Sequence, residues 1–540
     1  MEMPGTPLQA TIEDGVVFSP YPQVELHEDQ SFYQYFAKQL EEFGDKPTLE
    51  ADGVWLSAVE VLSLLRRYAA GLQRHGVRPG DRVCVNLSNS VQAFVISYAV
   101  CSAGAAVVLA KPVLTERELL YQIDDSGSTF VITEFANAEK VLRIHEKKTF
   151  KAMFSLDDIP GFQSMSSFQS LEESDFEEPA IQEPRSHTLF YTYTSGTTGL
   201  PKGVEISHYA FIAALKLNCR CEVFTAKDTV LAWNPISHVS GLLFAATALV
   251  SGAKGIVSHG GIPADQFVNT INEYQITALC AFPTAFQKFV MKLEGMDVRM
   301  PSFKRLVMCG GRTTEALFER ISRVFQLESM RNGYGLSEAS GFTCITPPDA
   351  MQYHSIGHPL SNMQFKVLDR TTGEKLGPGK WGELVFRGPP VMTCYHNKPQ
   401  ATAEVLSSDG WVSSGDLGYY DESGQFYIVE RLKDMIKCMD QQVAPAEVEN
   451  LLMGHEAVAE AAVVGIPHQD FGEAPTAFVV LKDGRRDSVS EDTLKDIVAS
   501  QSATYKHLHG GVFFVDAIPK TDTGKFLRRK LRDQHVKQQL

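Results

Sequence analysis

The chain is poor in the features that mark several large protein classes. Its nine cysteines are scattered through 540 residues, and only Cys219 and Cys221 stand close together. No pair of C-x-x-C motifs is present, which excludes a zinc ribbon, and an odd, dispersed set suits reduced thiols better than a disulfide framework. Basic residues are outnumbered, 50 Lys and Arg against 65 Asp and Glu, for a formal net charge of −15. A nucleic-acid-binding surface should be basic, so that class is set aside, although a local cluster can still hold a small anion. Met1 to Gly15 lacks an apolar core and carries Glu2, Glu13 and Asp14, so it does not read as a secretory signal. One apolar run, Val91 to Ala110, reaches the length of a membrane span but is interrupted by Gln92, Ser97, Ser102 and Gly104. It reads as a buried helix, Val91 to Ser102, followed by a buried strand, Ala105 to Ala110. The closing residues, Lys537 to Leu540, do not spell the S-K-L peroxisomal address. An intracellular protein, cytoplasmic or peroxisomal, is expected.

What the chain does have is alternation. Helical patterns at Phe32–Phe43, Ala58–His75, Val91–Ser102 and Thr115–Asp124 interleave with strand-like runs at Pro47–Leu49, Val83–Leu87, Ala105–Ala110 and Thr129–Thr133. Such alternation predicts βαβ units and parallel sheets. The Ser-, Glu-, Asp- and Pro-rich stretch 155–187 reads as a surface loop. Towards the C-terminus, helices at Ala446–Met453 and Ser490–Ala499 and strands at Val458–Val464 and Pro475–Leu481 predict a second α/β unit.

The chemistry concentrates in Tyr193-Thr194-Ser195-Gly196-Thr197-Thr198-Gly199-Leu200-Pro201-Lys202-Gly203, which follows the strand-like Thr188 to Tyr191. Three glycines, four aliphatic hydroxyls and one lysine fall in eleven residues. Glycines let backbone N–H groups approach an anion, hydroxyls add donors, and lysine adds a mobile point charge. The pattern asks for a polyphosphate. It is not a standard P-loop: counted from Gly196 the lysine is at the right offset, but Pro201 replaces the second glycine and Gly203 replaces the Ser/Thr that would hold magnesium. The metal ligand must therefore come from elsewhere. Arg331-Asn332-Gly333-Tyr334-Gly335-Leu336-Ser337-Glu338 supplies one. Glu338 is a hard oxygen ligand, Tyr334 between glycines can lie flat on a purine, and Ser337 can donate to a phosphate or acyl oxygen. Taken alone, His238 reads as a core histidine, Leu306 to Arg312 as a strand entering a tight turn, Asp416 as part of a plain turn, and Lys525 as a solvated lysine.

In this order, the motifs resemble the adenylate-forming superfamily of acyl-CoA synthetases, 4-coumarate–CoA ligases, beetle luciferases and peptide-synthetase adenylation domains, from about Phe32 to Arg532. The resemblance implies that Thr194, Ser195, Gly196, Thr197, Thr198, Gly199 and Lys202 hold the phosphates of ATP, with Thr194 and Glu338 at Mg2+. It implies nucleotide contacts from Gly311, Gly333, Tyr334, Gly335 and Ser337, and ribose contacts from Asp416 and Arg431. Gly310, Gly311, Arg312, Gly341 and His238 are implied at the acyl group, with His238 near its carboxylate. Lys433 is the implied hinge, and Lys437, Asp440 and Gln442 belong to a loop that swings towards coenzyme A. Lys525 matches the adenylation lysine and, with His238 and Lys202, forms the implied catalytic set.

The fold implied is α/β. A large N-terminal domain of parallel-rich sheets and helices, 1–431, holds the ATP and acyl sites, and a small mobile α+β domain, 432–540, follows. The activity implied is ATP-dependent conversion of a carboxylic acid to acyl-AMP, then transfer to CoA. The expected partners are a small-molecule acid, ATP and CoA, with no nucleic acid and no transmembrane segment. Only 15 residues (540 − 525) follow Lys525, so no carrier domain is expected in this chain. The chain departs from the family at four places. Arg312 stands where a small residue is usual, and either faces the acyl pocket, shortening it or pairing a second carboxylate, or points to solvent. Cys394 replaces a glycine in an element, Met392 to Tyr395, read as mainly structural. Glu430 replaces aspartate. Asp440 replaces a glycine whose backbone approaches the thiol, which bears on thioester formation more than on adenylation. Two rivals stay open: a luciferase-type oxygenase acting on the adenylate, and a nucleotide-binding relative with impaired thioesterification.

Overall fold

The computed structural model describes residues 8–51, 53–194, 201–258, 262–296, 298–439, 441–485, 488–521 and 524–539. Helix starts follow local chemistry. Ser31, Ser57 and Thr115 each cap a helix and form a reciprocal box with Gln34, Glu60 and Glu118, satisfying donors that the first turn leaves open. The Val91–Ser102 helix is buried on all sides over its last ten residues, and the strand after it, Ala106–Leu109, sits inside a sheet. Its apolar character therefore comes from burial in protein. No helix among the described residues is long and apolar enough to cross a membrane.

Two large sheets are parallel-rich. One runs Cys394–Tyr395, Lys202–Ser207, Thr188–Thr194, Ala106–Leu109, Arg82–Asn86, Phe130–Thr133, Ala152–Ser155, Gln163–Ser164, and is parallel from Thr188–Thr194 onward. The other has a parallel centre, Ser329–Leu336, Arg305–Cys309, Ala278–Ala281, Thr229–Ala232, Lys254–Val257 and Pro47–Ala51, flanked by antiparallel strands. Parallel strands need both faces covered, and their near-continuous apolar runs supply that. A third, six-stranded sheet is wholly antiparallel and ends on Val412–Tyr420 and Phe426–Arg431. The fourth, built from 436–514, packs its own apolar cluster around Val443, Val463, Ala477 and Leu494. The α/β class and the large-plus-small organisation stand.

The stretch 155–187 is more than a surface loop. Met165 and Phe168 are buried, and the Phe168 ring lies where a side chain at Gly71 would stand, on the Ala58–Arg74 helix. Arg67 donates to the Gln169 carbonyl at 3.0 Å, and Arg74 pairs with Asp175 at 2.8 Å. Two apolar anchors among many polar residues hold it down as a strap.

Candidate active site

The Thr188–Thr194 and Lys202–Ser207 strands form an antiparallel hairpin whose last register pair is Thr194 with Lys202. Both residues line a cavity of about 1610 Å³. The predicted phosphate contacts Ser195, Gly196, Thr197, Thr198 and Gly199 lie outside the described residues. The legs of the hairpin are pinned from below. Tyr193 donates to the Asp125 carboxylate at 3.0 Å, and Tyr121 donates to the Pro201 carbonyl at 2.9 Å.

Lys202 Nζ sits 5.0 Å from the centre of the Tyr395 ring, and the Tyr395 hydroxyl donates to Glu338 Oε1 at 2.6 Å. Burial and the neighbouring carboxylate raise the Tyr395 phenol well above its ordinary value, so it remains a donor. The Met392–Tyr395 element was expected to be mainly structural. Tyr395 instead joins the predicted phosphate lysine to the predicted metal carboxylate, because the Cys394–Tyr395 strand pairs with Val204 and Glu205 at the sheet edge.

In the same cavity, Tyr334 donates to Asp416 Oδ2 at 2.6 Å and Arg431 Nε meets Asp416 Oδ1 at 2.8 Å. Asp416 is buried, and its amide is fixed by Ser414 Oγ at 3.0 Å. A carboxylate offers about four lone-pair sites, so two stay open after these contacts, enough for a pair of hydroxyls. Glycine is needed here for space. A side-chain carbon at Gly335 would run into the Gly341 carbonyl, and one at Gly310, where φ is +74°, would meet the Phe282 ring at 2.7 Å. Gly311, Gly333, Ser337 and Gly341 also line the cavity. Arg331, in the same motif, is fully buried and donates to the Thr346, Glu222 and Cys221 carbonyls at 2.8 to 2.9 Å, so it braces the strand.

His238 caps the Val239–Val250 helix and lines the cavity. Its Nδ1 accepts from the Ser240 amide at 3.2 Å, which puts the proton of a neutral ring on Nε2. The ring meets Phe282 edge-on at 6.1 Å, and this brings it beside the Gly310–Gly311 turn. Arg312 is exposed on the cavity wall near Tyr353 and makes no ion pair among the described residues.

Lys525 stands on a tight turn closed by Thr521, whose amide donates to the Lys525 carbonyl at 2.8 Å. The side chain is open to the solvent of the cavity yet walled in by protein. Confinement, then the nearby Arg431 guanidinium, lower its pKa from that of a free lysine, against the opposing pull of Asp416 and Glu338. Lys433 lies in the short turn Leu432–Asp434 and also lines the cavity. Lys437 and Gln442 face each other across the Ile436–Cys438 and Gln441–Val443 hairpin, exposed and away from the cavity lining. Asp440 lies outside the described residues.

Sequence reasoning missed the brace beside Lys433. Buried Glu430 accepts the Arg431 and Ala446 amides at 2.9 Å each, linking the third sheet to the Pro445–Met453 helix. Burial raises its pKa. Arg528 grips Glu449 through two nitrogens and approaches Asp434 at 3.8 Å. No local motif signals Arg528. Glu430 stood out in the sequence only as an unexpected residue beside Arg431.

The chain matches the AMP-binding enzyme family over residues 36–396 and the AMP-binding enzyme C-terminal domain over 447–525. It belongs to the adenylate-forming AMP-binding enzymes. Within that family it is 33% identical to luciferin 4-monooxygenase of Photinus pyralis over 496 residues, covering 89% of each chain. It is 32% identical to 4-coumarate–CoA ligase of Pinus taeda over 540 residues, 96% of this chain and 97% of that one. ATP-bound MatB from Rhodopseudomonas palustris shares the fold with a TM-score of 0.83 at 25% identity, over 94% of this chain and 99% of that one. An adenylate-forming enzyme of this family acts on ATP, and the family's ligases use CoA.

Proposed function

We propose that this enzyme is an AMP-forming acid–thiol ligase with a large domain at 1–431 and a small domain at 432–540. A carboxylate oxygen attacks the α-phosphorus of ATP, the bond to the β-phosphate breaks, and pyrophosphate leaves. Lys525 and Lys202 offset the charge that builds on the transferring group, and His238 Nε2–H orients the acid. Asp416 and Arg431 hold the ribose, with Tyr334 against the base. In the second step the thiol of CoA loses its proton to solvent, sulfur attacks the acyl carbon, and AMP departs.

A magnesium ion fits the residues present. Glu338 gives Tyr395 only one carboxylate oxygen, and Thr194 lines the same cavity, which leaves hard oxygen donors on its wall for such an ion. Glu338 and Thr194 would hold the ion, which would neutralise phosphate charge.

The observation that carries this reading is convergence. Lys525, the Tyr334–Asp416–Arg431 cluster and the Lys202–Tyr395–Glu338 cluster, drawn from stretches scattered between Lys202 and Lys525, line one cavity. Pyrophosphate release across aryl, medium-chain and long-chain acids, with and without CoA, tests it. Thioester product that needs CoA supports the ligase. Adenylate without thioester overturns it. The likeness to luciferin 4-monooxygenase supports a second reading, oxidation of the adenylate, for which light from luciferin and ATP is the test.

A further inference from the structure

Arg312 lines the cavity, is exposed, and forms no ion pair among the described residues. It stands two residues before Thr314, the cap of the Glu315–Val324 helix. Its charge therefore lies at the positive end of that helix, where a cation is disfavoured. Stability gives no reason for an arginine at this position.

The backbone around it is fixed. Cys309 pairs with Gly333 on the neighbouring parallel strand, the chain leaves the sheet at Gly310, where φ is +74°, and Thr313 returns to donate to Asn332 Oδ1 at 3.2 Å. Gly311 and Arg312 thus form an arch beside Gly333 and Tyr334. The arch has two sides. A side-chain carbon at Gly310 would meet the Phe282 ring, and one at Gly311 would touch Pro283 at 3.6 Å, so both positions look towards Phe282 and its neighbour His238. Arg312 bears instead on Tyr353. Burial and Glu315 raise the pKa of that phenol, and Arg312 opposes them. Tyr353 meets His354 edge-on, His354 stacks on Tyr427 at 6.1 Å and 13°, and the Ile356 amide donates to the Phe426 carbonyl at 2.9 Å. The strand reached in this way, Phe426–Arg431, ends in the partner of Asp416. Arg312 therefore stands on the side of the Tyr334–Asp416–Arg431 cluster and away from His238.

A guanidinium is flat and stacks on aromatic ring systems as well as pairing with anions. We propose that Arg312 closes over the base of the nucleotide, stacking on the face that Tyr334 leaves open, so that the purine is held between a phenol and a guanidinium. This rests on the nucleotide placement proposed above. The contact grips a flat ring and takes no part in choosing the acid. A merely solvated arginine would affect the binding of neither.

The test compares Arg312→Ala and Arg312→Lys with wild type in the full chain, using the most active acid of the panel above. In ATP–pyrophosphate exchange, KM for ATP should rise about five- to tenfold in Arg312→Ala. Arg312→Lys keeps the charge but loses the plane, so it should recover little of that. KM for the acid should not move. A rise for the acid in place of ATP, or no change for either, overturns the stack. So does full recovery by lysine, which would make Arg312 a point charge for the phosphates. Titration with adenosine isolates the base, because it carries no phosphate and needs no chemistry. Wild-type binding that both variants weaken supports the stack even if no thioester ever forms, a result that would sink only the ligase. Equal binding by all three proteins, or none by wild type, overturns the stack.

Discussion

The turn that carries Lys525 and the hairpin that carries Lys437 and Gln442 belong to one small domain but face different surroundings. Lys525 stands in the cavity, within electrostatic reach of Arg431, Asp416 and Glu338. Lys437 and Gln442 are exposed outside it, on an edge hairpin of the fourth sheet. One rigid placement of a domain presents one face to a cavity. Two chemical steps that need both faces therefore require two placements, and a short turn at Leu432–Asp434 is a suitable place to absorb the change. Under the proposed ligase reading, the arrangement seen suits the first step.

This contrast can be broken experimentally. The largest effect is expected from Lys525→Ala, which should slow adenylate formation by about 10²- to 10³-fold in ATP–pyrophosphate exchange. Thioester formation from supplied acyl-AMP should change little, and equal losses in both assays would end the contrast. Next comes Lys433→Pro, which locks φ at the proposed hinge. Exchange should survive while thioester formation falls by roughly 10²-fold, as expected when a domain motion gates one step. A smaller change is expected from Asp440→Gly. Removing a carboxylate from the loop assigned to CoA should speed thioester formation by about two- to fivefold and leave exchange untouched. A gain in exchange would argue against that assignment.

The smallest effect is a shift in pH dependence. In the proposed reaction Lys525 works as an ammonium, and confinement and Arg431 lower its pKa. Exchange should therefore be present below the lowered pKa and lost as pH rises through it, earlier than for a free lysine. Arg431→Gln removes the cation that helps to lower it, so the alkaline limb should move to higher pH whatever happens to the amplitude. Thioester formation from supplied acyl-AMP should lack this limb.

Legibility differed between fold and site for physical reasons. The helices at 32–43 and 91–102 were readable because caps and apolar spacing act within a few residues. The strap at 155–187 was misread because Met165 and Phe168 are outnumbered by polar neighbours, and only the gap above Gly71 shows where Phe168 goes. Tyr395 was misread because its partners, Glu338 and Lys202, are remote in the chain. The same holds for Phe282, which joins His238 to Gly310, and for Arg528, which reaches Glu449.

By itself the sequence determined the α/β character, the polyphosphate-binding composition of the 194–203 stretch and, through resemblance, the family. Those properties rest on short-range spacing and on residue chemistry that does not depend on what lies across the cavity. Only the tertiary structure decided that Asp416 shares its two oxygens between Tyr334 and Arg431, that Glu338 keeps one oxygen clear of Tyr395, and that Lys525 rather than Lys437 stands in the cavity. Each of these depends on contacts between residues far apart in the chain, and packing of whole sheets and domains sets those distances.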